Sequence, residues 1–239
     1  MNLDRRPLYA QTEELLTRRI AEGAWLPGAL IPPEPELAAE LGVSPGTVRK
    51  ALSALERRRL IERRQGRGTY VAAHTSERAL FHFFRILDRE GRKHTPTSLV
   101  LDFRTSPASE EEAAALALRP GAPLHRVERI RVLAGAPVIL ERILLPAALF
   151  PGFALPVKQE MNDELYVLYQ RDHGVTIARA EERLAAVAVT EEQAARLGLR
   201  PGAPLLEISR TAYDLADRPV ELRTTCVDTH AHRYHASLD

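Results

Sequence analysis

The sequence predicts an α+β protein in two domains: a winged helix-turn-helix, then a mainly antiparallel sheet with helices. Three observations predict it. Pro45-Gly46 interrupts "PEPELAAELGVSPGTVRKALSALERRR", a stretch otherwise helical in pattern. The basic run "LIERRQGRGTYV" follows directly, with glycines at its centre. "LRPGAPL" occurs twice, at 118–124 and 199–205, seven identities at an offset of 81.

Taking the elements in order, "PLYAQTEELLTRRIAEG" places Leu8, Leu15, Leu16 and Ile20 near helical period and stops at Gly23, which makes it the first helix. The second carries Leu37, Ala38 and Leu41 on one face and ends near Leu41. A proline inside a helix costs about 3 kcal/mol and a glycine about 1, so a third helix has to begin at Pro45 rather than run through it. Ser44 is a good N-cap, and Pro45 at the first helical position needs no N–H. Val48, Ala51, Leu52 and Leu55 then follow at helical spacing to about Arg59. Two short helices joined by a Gly-containing turn make a helix-turn-helix. Strand-like arms at 61–64 and 69–71 around Gln-Gly-Arg-Gly make a wing.

Charge agrees with this division. The 239 residues carry a net charge of only +1, but residues 45–70 hold 8 Lys/Arg against 2 Asp/Glu. One cysteine, Cys226, excludes an intrachain disulfide and favours a reducing, cytoplasmic setting. No apolar run approaches the roughly 18 residues of a membrane span. "MNLDRRPLYA" lacks the apolar core of a secretory signal.

Residues 7–71, with "LGVSPGTVRKAL" and "RRQGRGTYV" at their centre, resemble the N-terminal winged helix of GntR-type bacterial repressors. The resemblance implies double-stranded operator DNA as partner and a homodimer that sets two wings on a pseudo-palindromic site. The chemistry of the residues fits. The start of the third helix offers N–H groups and a positive dipole end to a phosphate. Gly46 allows close approach, and Ser44 and Thr47 can donate to phosphates. Arg49 and Lys50 lie on the first turns, the part of a recognition helix that meets base edges. Arg67, between Gly66 and Gly68, suits a narrow minor groove, with Arg63, Arg64 and Gln65 on the backbone. Pro35 and Pro45 stand where many family members carry base-reading arginines, so direct readout falls to Thr47, Arg49 and Lys50.

Residues 1–74 form the first expected domain and 75–239 the second, joined by a linker at 72–79. From 80 the pattern reads strand, turn at Arg89–Arg92, strand near 98–104. Each copy of the repeat then has an Ala-rich helix with a capping-box start, Ser109 with Glu112 and Thr190 with Gln193. Each continues into a strand, a turn (Ala134-Gly135 and Ala216-Asp217) and a "PV" strand. Between the copies lie a helix from about Asp163 to Asp172 and the alternating strand "IARAEERLAAVAV".

This arrangement resembles the UTRA effector domain of the HutC subfamily of GntR regulators, with a chorismate-lyase-like fold. Arg129 and Arg131 share one face of strand 124–133, and Glu141 returns on its partner. Two guanidiniums beside a carboxylate can hold an anionic molecule, and the resemblance places effector contacts at these positions. Glu221 reads as the analogous acid of the second copy. Val227 stands where sugar-phosphate-binding relatives often have Tyr. The plain alternative for the charged residues is a solvent-facing sheet, and for Tyr166 and Tyr169 it is core packing. His230, His232 and His235 lack a matching acidic or Cys pattern, so a polar terminal strand is expected and no metal. No cofactor is expected either. The reading is a regulator, a repressor, whose operator affinity follows a small anionic effector. The rivals are an enzyme on the lyase-like fold and a regulator with a vestigial pocket. No Gly-rich phosphate loop or nucleophile constellation around Cys226 supports the enzyme.

Overall fold

The computed structural model describes residues 6–73, 83–161 and 164–237. The chain divides into two compact units, one of residues 1–74 and 215–217, the other of residues 75–214 and 218–239. Most of the linker expected at 72–79, the start of the strand expected from 80, and Asp163 lie outside the described residues.

The first unit contains α1 (Leu8–Ala21), β1 (Leu30–Ile31), α2 (Glu34–Leu41), α3 (Pro45–Arg57), β2 (Ile61–Arg64) and β3 (Gly68–Val71). The start of α3 answers the Pro-Gly interruption. Ser44 is extended (φ −71°, ψ 150°), its side chain accepts from the Thr47 N–H at 3.1 Å, and Pro45 is the first helical residue. Gly42 closes α2 in the left-handed conformation, φ 66°. Val48, Ala51, Leu52 and Leu55 are buried to 1% exposure or less. Each large side chain among them is worth roughly 1.5–3 kcal/mol of burial. α3 ends two residues earlier than expected. Arg58 caps it, and Arg59, at φ 58°, turns the chain into β2. β2 and β3 form the wing, and β1, two residues long and not foreseen, completes the sheet in the order β1-β3-β2. β1 explains Gly68. At φ +109°, a Cβ there would meet Leu30 Cδ1 at 2.7 Å.

The second unit contains β4 (Ile86–Asp88), β5 (Thr97–Pro107), α4 (Glu110–Ala115), β6 (Pro123–Leu133), β7 (Ala136–Pro146) and β8 (Glu160–Met161). These are followed by α5 (Leu165–His173), β9 (Ile177–Ala188), α6 (Glu191–Leu197), β10 (Pro204–Asp214), β11 (Pro219–Val227) and β12 (His232–Tyr234). A seven-stranded antiparallel sheet runs β8-β5-β6-β7-β11-β10-β9. Its order displays the duplication. Strand, capped helix and hairpin occur as β5-α4-β6-β7 and again as β9-α6-β10-β11, and the two copies meet at β7–β11. Both capping boxes form.

α5 covers one face of the sheet, where Tyr166 and Tyr169 pack with Phe150, Phe153, Val127 and Ile143. α4 and α6 cover the other, through Ala113 and Leu116 on Leu124 and Leu144, and through Ala194 and Leu197 on Leu205 and Cys226. β4 and β5 exist as expected, and Arg92 N–H donates to Asp88 Oδ1 across the intervening turn. They do not pair with each other, however. β4 pairs with β12, Ile86 opposite Tyr234. Pro96, with no N–H to give a ladder, precedes β5.

Candidate DNA interface and effector cavity

On the first unit, the start of α3 and the wing tip present the expected residues. Ser44, Gly46, Arg49, Lys50 and the run Arg63, Arg64, Gln65, Gly66, Arg67, Gly68 are exposed, and Thr47 is half-buried. The Ser44 and Thr47 hydroxyls bond each other at 2.9 Å. Arg49 Nε donates to Glu34 at 2.9 Å, and Glu34 also lies 3.7 Å from Arg63. Lys50 sits over the Tyr9 ring at 4.1 Å. Arg64 pairs with Glu62 and stacks over Tyr70. The Tyr70 hydroxyl donates to the Arg67 carbonyl at 3.0 Å, which fixes the tip backbone. Among the described residues no carboxylate pairs with the Arg67 guanidinium. Exposed pairs of this kind are worth about 0–1 kcal/mol, so a phosphate can replace the internal carboxylate at little cost. Glu34, the acid that opens α2, is not among the site residues expected from the sequence.

On the second unit, β6, β7, β11 and β10 aim a cluster of charges under α5. Arg129 stands opposite Glu141, which stands opposite Thr225. These residues are buried, Arg129 to 0% and Glu141 to 3% exposure, so the solvent-facing alternative is overturned. Arg129 Nε donates to Glu141 at 2.5 Å, and Arg131 Nη2 donates to Glu164 at 2.5 Å. Burial disfavours the Glu141 carboxylate, but Arg129, Arg223 and Arg131 outweigh it and hold the carboxyl well below its usual range. Burial, with Arg129 beside it, brings Arg131 down to about 10.

Glu221 requires a correction. The register pairs Arg129 with Glu141 in the first copy and Arg210 with Arg223 in the second. Arg223, not Glu221, therefore occupies the place equivalent to Glu141, and Glu221 matches Ile139. The two-residue slip escaped notice because a strand's side-chain period is two, so both acids share a face. Glu221 is fully buried and accepts from Tyr166 and Tyr169, each at 2.9 Å, and from Arg223 at 2.7 and 3.0 Å. Burial, with Glu221 beside them, pushes both tyrosines up, Tyr166 to about 12.

Arg131, Glu141, Glu164, Tyr166, Arg210 and Arg223 contribute to the wall of a cavity of about 40 Å³. Arg129 and Glu221 lie outside that wall. Buried donors remain without an acceptor among the described residues: Nη1 and Nη2 of Arg129, and Nε of Arg131. Sequence reasoning missed Glu164, Arg210 and Arg223. Two of them were within reach, since the offset of 81 carries Arg129 onto Arg210 and the offset of 82 after the longer turn carries Glu141 onto Arg223. Of the histidines, His232 is buried and begins β12 while His230 precedes the strand. No group of three metal-ligating side chains occurs among the described residues. No helix among them is long and apolar enough to cross a membrane.

Residues 8–71 match the family model of the gntR bacterial regulatory proteins, and residues 91–233 match that of the UTRA domain. The chain belongs to the GntR family of transcriptional regulators. This GntR regulator is 31% identical over 228 residues to the HTH-type transcriptional regulator SmoD of Agrobacterium fabrum, covering 95% of this chain and 94% of that one. It is 33% identical to the HTH-type transcriptional repressor NagR of Bacillus subtilis, covering 89% and 88%. Among solved structures, the ligand-binding domain of a GntR-family regulator from Bordetella bronchiseptica superposes with a TM-score of 0.63 at 33% identity, covering 66% of this chain and 98% of that one. Histidine utilization repressors, which represent HutC, are also relatives, at 30% and 29% identity.

Proposed function

We propose that this GntR regulator is a cytoplasmic homodimeric repressor, and that a small anionic effector held in the UTRA domain changes its operator affinity. Residues 1–74 bind DNA, and residues 75–239 bind effector and dimerise. Thr47, Arg49 and Lys50 read base edges. Ser44, Gly46, Arg63, Arg64 and Gln65 serve the backbone, and Arg67, between Gly66 and Gly68 at the wing tip, enters the minor groove. Arg129, Arg131 and Glu141 hold the effector, while Glu221 positions Arg223 and Tyr166 at the cavity wall.

One observation carries the effector reading: the buried guanidinium of Arg131 on the cavity wall, and that of Arg129 next to it on β6, keep unanswered N–H donors. An unpaired buried donor costs about 1–3 kcal/mol, more when charged, and an anion arriving there removes that cost. The named repressors among the relatives support the regulatory part. The test is operator binding across a titration of small anions. Arg131→Ala should bind operator normally and scarcely respond, because its lost charged hydrogen bond is comparable with a typical allosteric coupling of about 1–3 kcal/mol. A full response in that variant removes Arg131 from the site, and lost operator binding without effector makes it structural.

A further inference from the structure

The acids around the cavity are not held alike. Glu141 is on a strand and accepts from Arg129, Arg223 and Thr225. Glu221, also on a strand, accepts four bonds from three residues. Glu164 is on no strand. It is the residue before α5, extended at φ −76° and ψ 133°, and its side chain caps none of the helix's N–H groups. Its carboxylate reaches into the cavity instead and meets Arg131 at 2.5 Å. Arg131, 3% exposed, still has its Nε unanswered, and the two terminal nitrogens of Arg129, two residues away on the same face of β6, are in the same state. The donors gathered there thus exceed what a single glutamate oxygen satisfies. The space beside them, about 40 Å³, takes water.

We propose that Glu164 is an internal counter-anion, which occupies the place over Arg131 that the effector's anionic group takes, so that binding exchanges one oxyanion for the other. This rests on the effector reading above. The ligand class is a small molecule bearing one compact oxyanion, tetrahedral or carboxylate, which takes the Arg131 donors and gains from the positive end of the nine-residue α5. Exchange releases Glu164 and with it the start of α5, whose Tyr166 and Tyr169 are anchored on Glu221. The occupant of the Arg131 site therefore sets the entry of the helix that covers the sheet.

The experiment titrates inorganic phosphate and acetate, separately, into the full-length wild-type protein, Glu164→Gln and Arg131→Ala, by calorimetry, with circular dichroism to confirm folding. Removing the competing charge should tighten at least one of the two anions by about tenfold in Glu164→Gln, the equivalent of one charged hydrogen bond. The anion that gains more identifies the head group. Arg131→Ala should bind neither. Unimproved binding of both anions by Glu164→Gln, with binding lost in Arg131→Ala, overturns the exchange and leaves the effector site standing. Wild-type binding by Arg131→Ala overturns the site itself, and the exchange with it. Should Glu164→Gln not fold, Glu164→Asp, whose shorter side chain keeps the charge but loses the contact, replaces it. A gain of about threefold or more is then expected, and no gain overturns the exchange.

Discussion

The winged helix and the sheet domain both depend on arginine, under opposite conditions. The Arg49 side chain is 66% exposed and has one carboxylate partner, while that of Arg129 is 1% exposed. On the wing and α3 each partner is held weakly in high dielectric, so the arginines are available to any phosphate. Beneath α5 desolvation makes every partner obligatory, and a missing one is expensive. The first environment suits a polyanion bound at many weak contacts; the second suits discrimination of one small anion.

The largest expected break of this contrast is Glu221→Ala. It removes the nearer of the two carboxylates that Arg223 pairs with and the acceptor for two buried tyrosine hydroxyls, so it should cost about 3–5 kcal/mol in denaturant unfolding of the full chain. A loss under about 1 kcal/mol would mean that the buried cluster is not framework. Next, Arg49→Ala should cost about 1–3 kcal/mol in operator binding with the melting temperature unchanged. Equal operator affinity would remove Arg49 from the recognition surface.

Acid should separate the two regions as well. Hydrogen bonding and charge from Arg126 hold Glu112 down to about 2, and Glu141 is also depressed. Depressed carboxylates contribute stability that is present above the ordinary value near 4.5 and is lost as pH falls through the folded-state value. Thermal melts from about pH 5 to about pH 2 should therefore weaken the sheet domain before the winged helix. Simultaneous loss, followed by probes in each domain, would contradict the contrast. A smaller effect is expected from Arg67→Ala, which should lower the salt slope of DNA binding by about one; an unchanged slope would show that the wing tip makes no phosphate contact. Smallest of all, Pro45→Ala should leave folding nearly unchanged, since the first helical position accepts either residue. Marked destabilisation in a melt would contradict the role assigned to Pro45.

Legibility followed the range of the signal. Ser44, Pro45 and Gly42 act on neighbours within a turn, so α2 and α3 could be read almost to their ends. The capping boxes at Ser109 and Thr190 are equally local. β1 and β8, two residues each, carry no periodicity to read. The pairing of Ile86 with Tyr234 joins residues far apart in sequence, and no local pattern announces it. The face shared by Arg129, Arg131 and Glu141 was legible from alternation. Their burial was not, because it depends on α5 lying over them.

The sequence by itself determined the winged helix, the duplicated strand-helix-hairpin and the family, because caps, turns and repeats act locally and survive in one dimension. Only the tertiary structure decided that the charged face is interior, that Arg223 rather than Glu221 matches Glu141, and that Glu164 closes onto Arg131. Those outcomes depend on which strands become neighbours and what covers them, and desolvation, which gives each charge its meaning, is a property of the assembled layers.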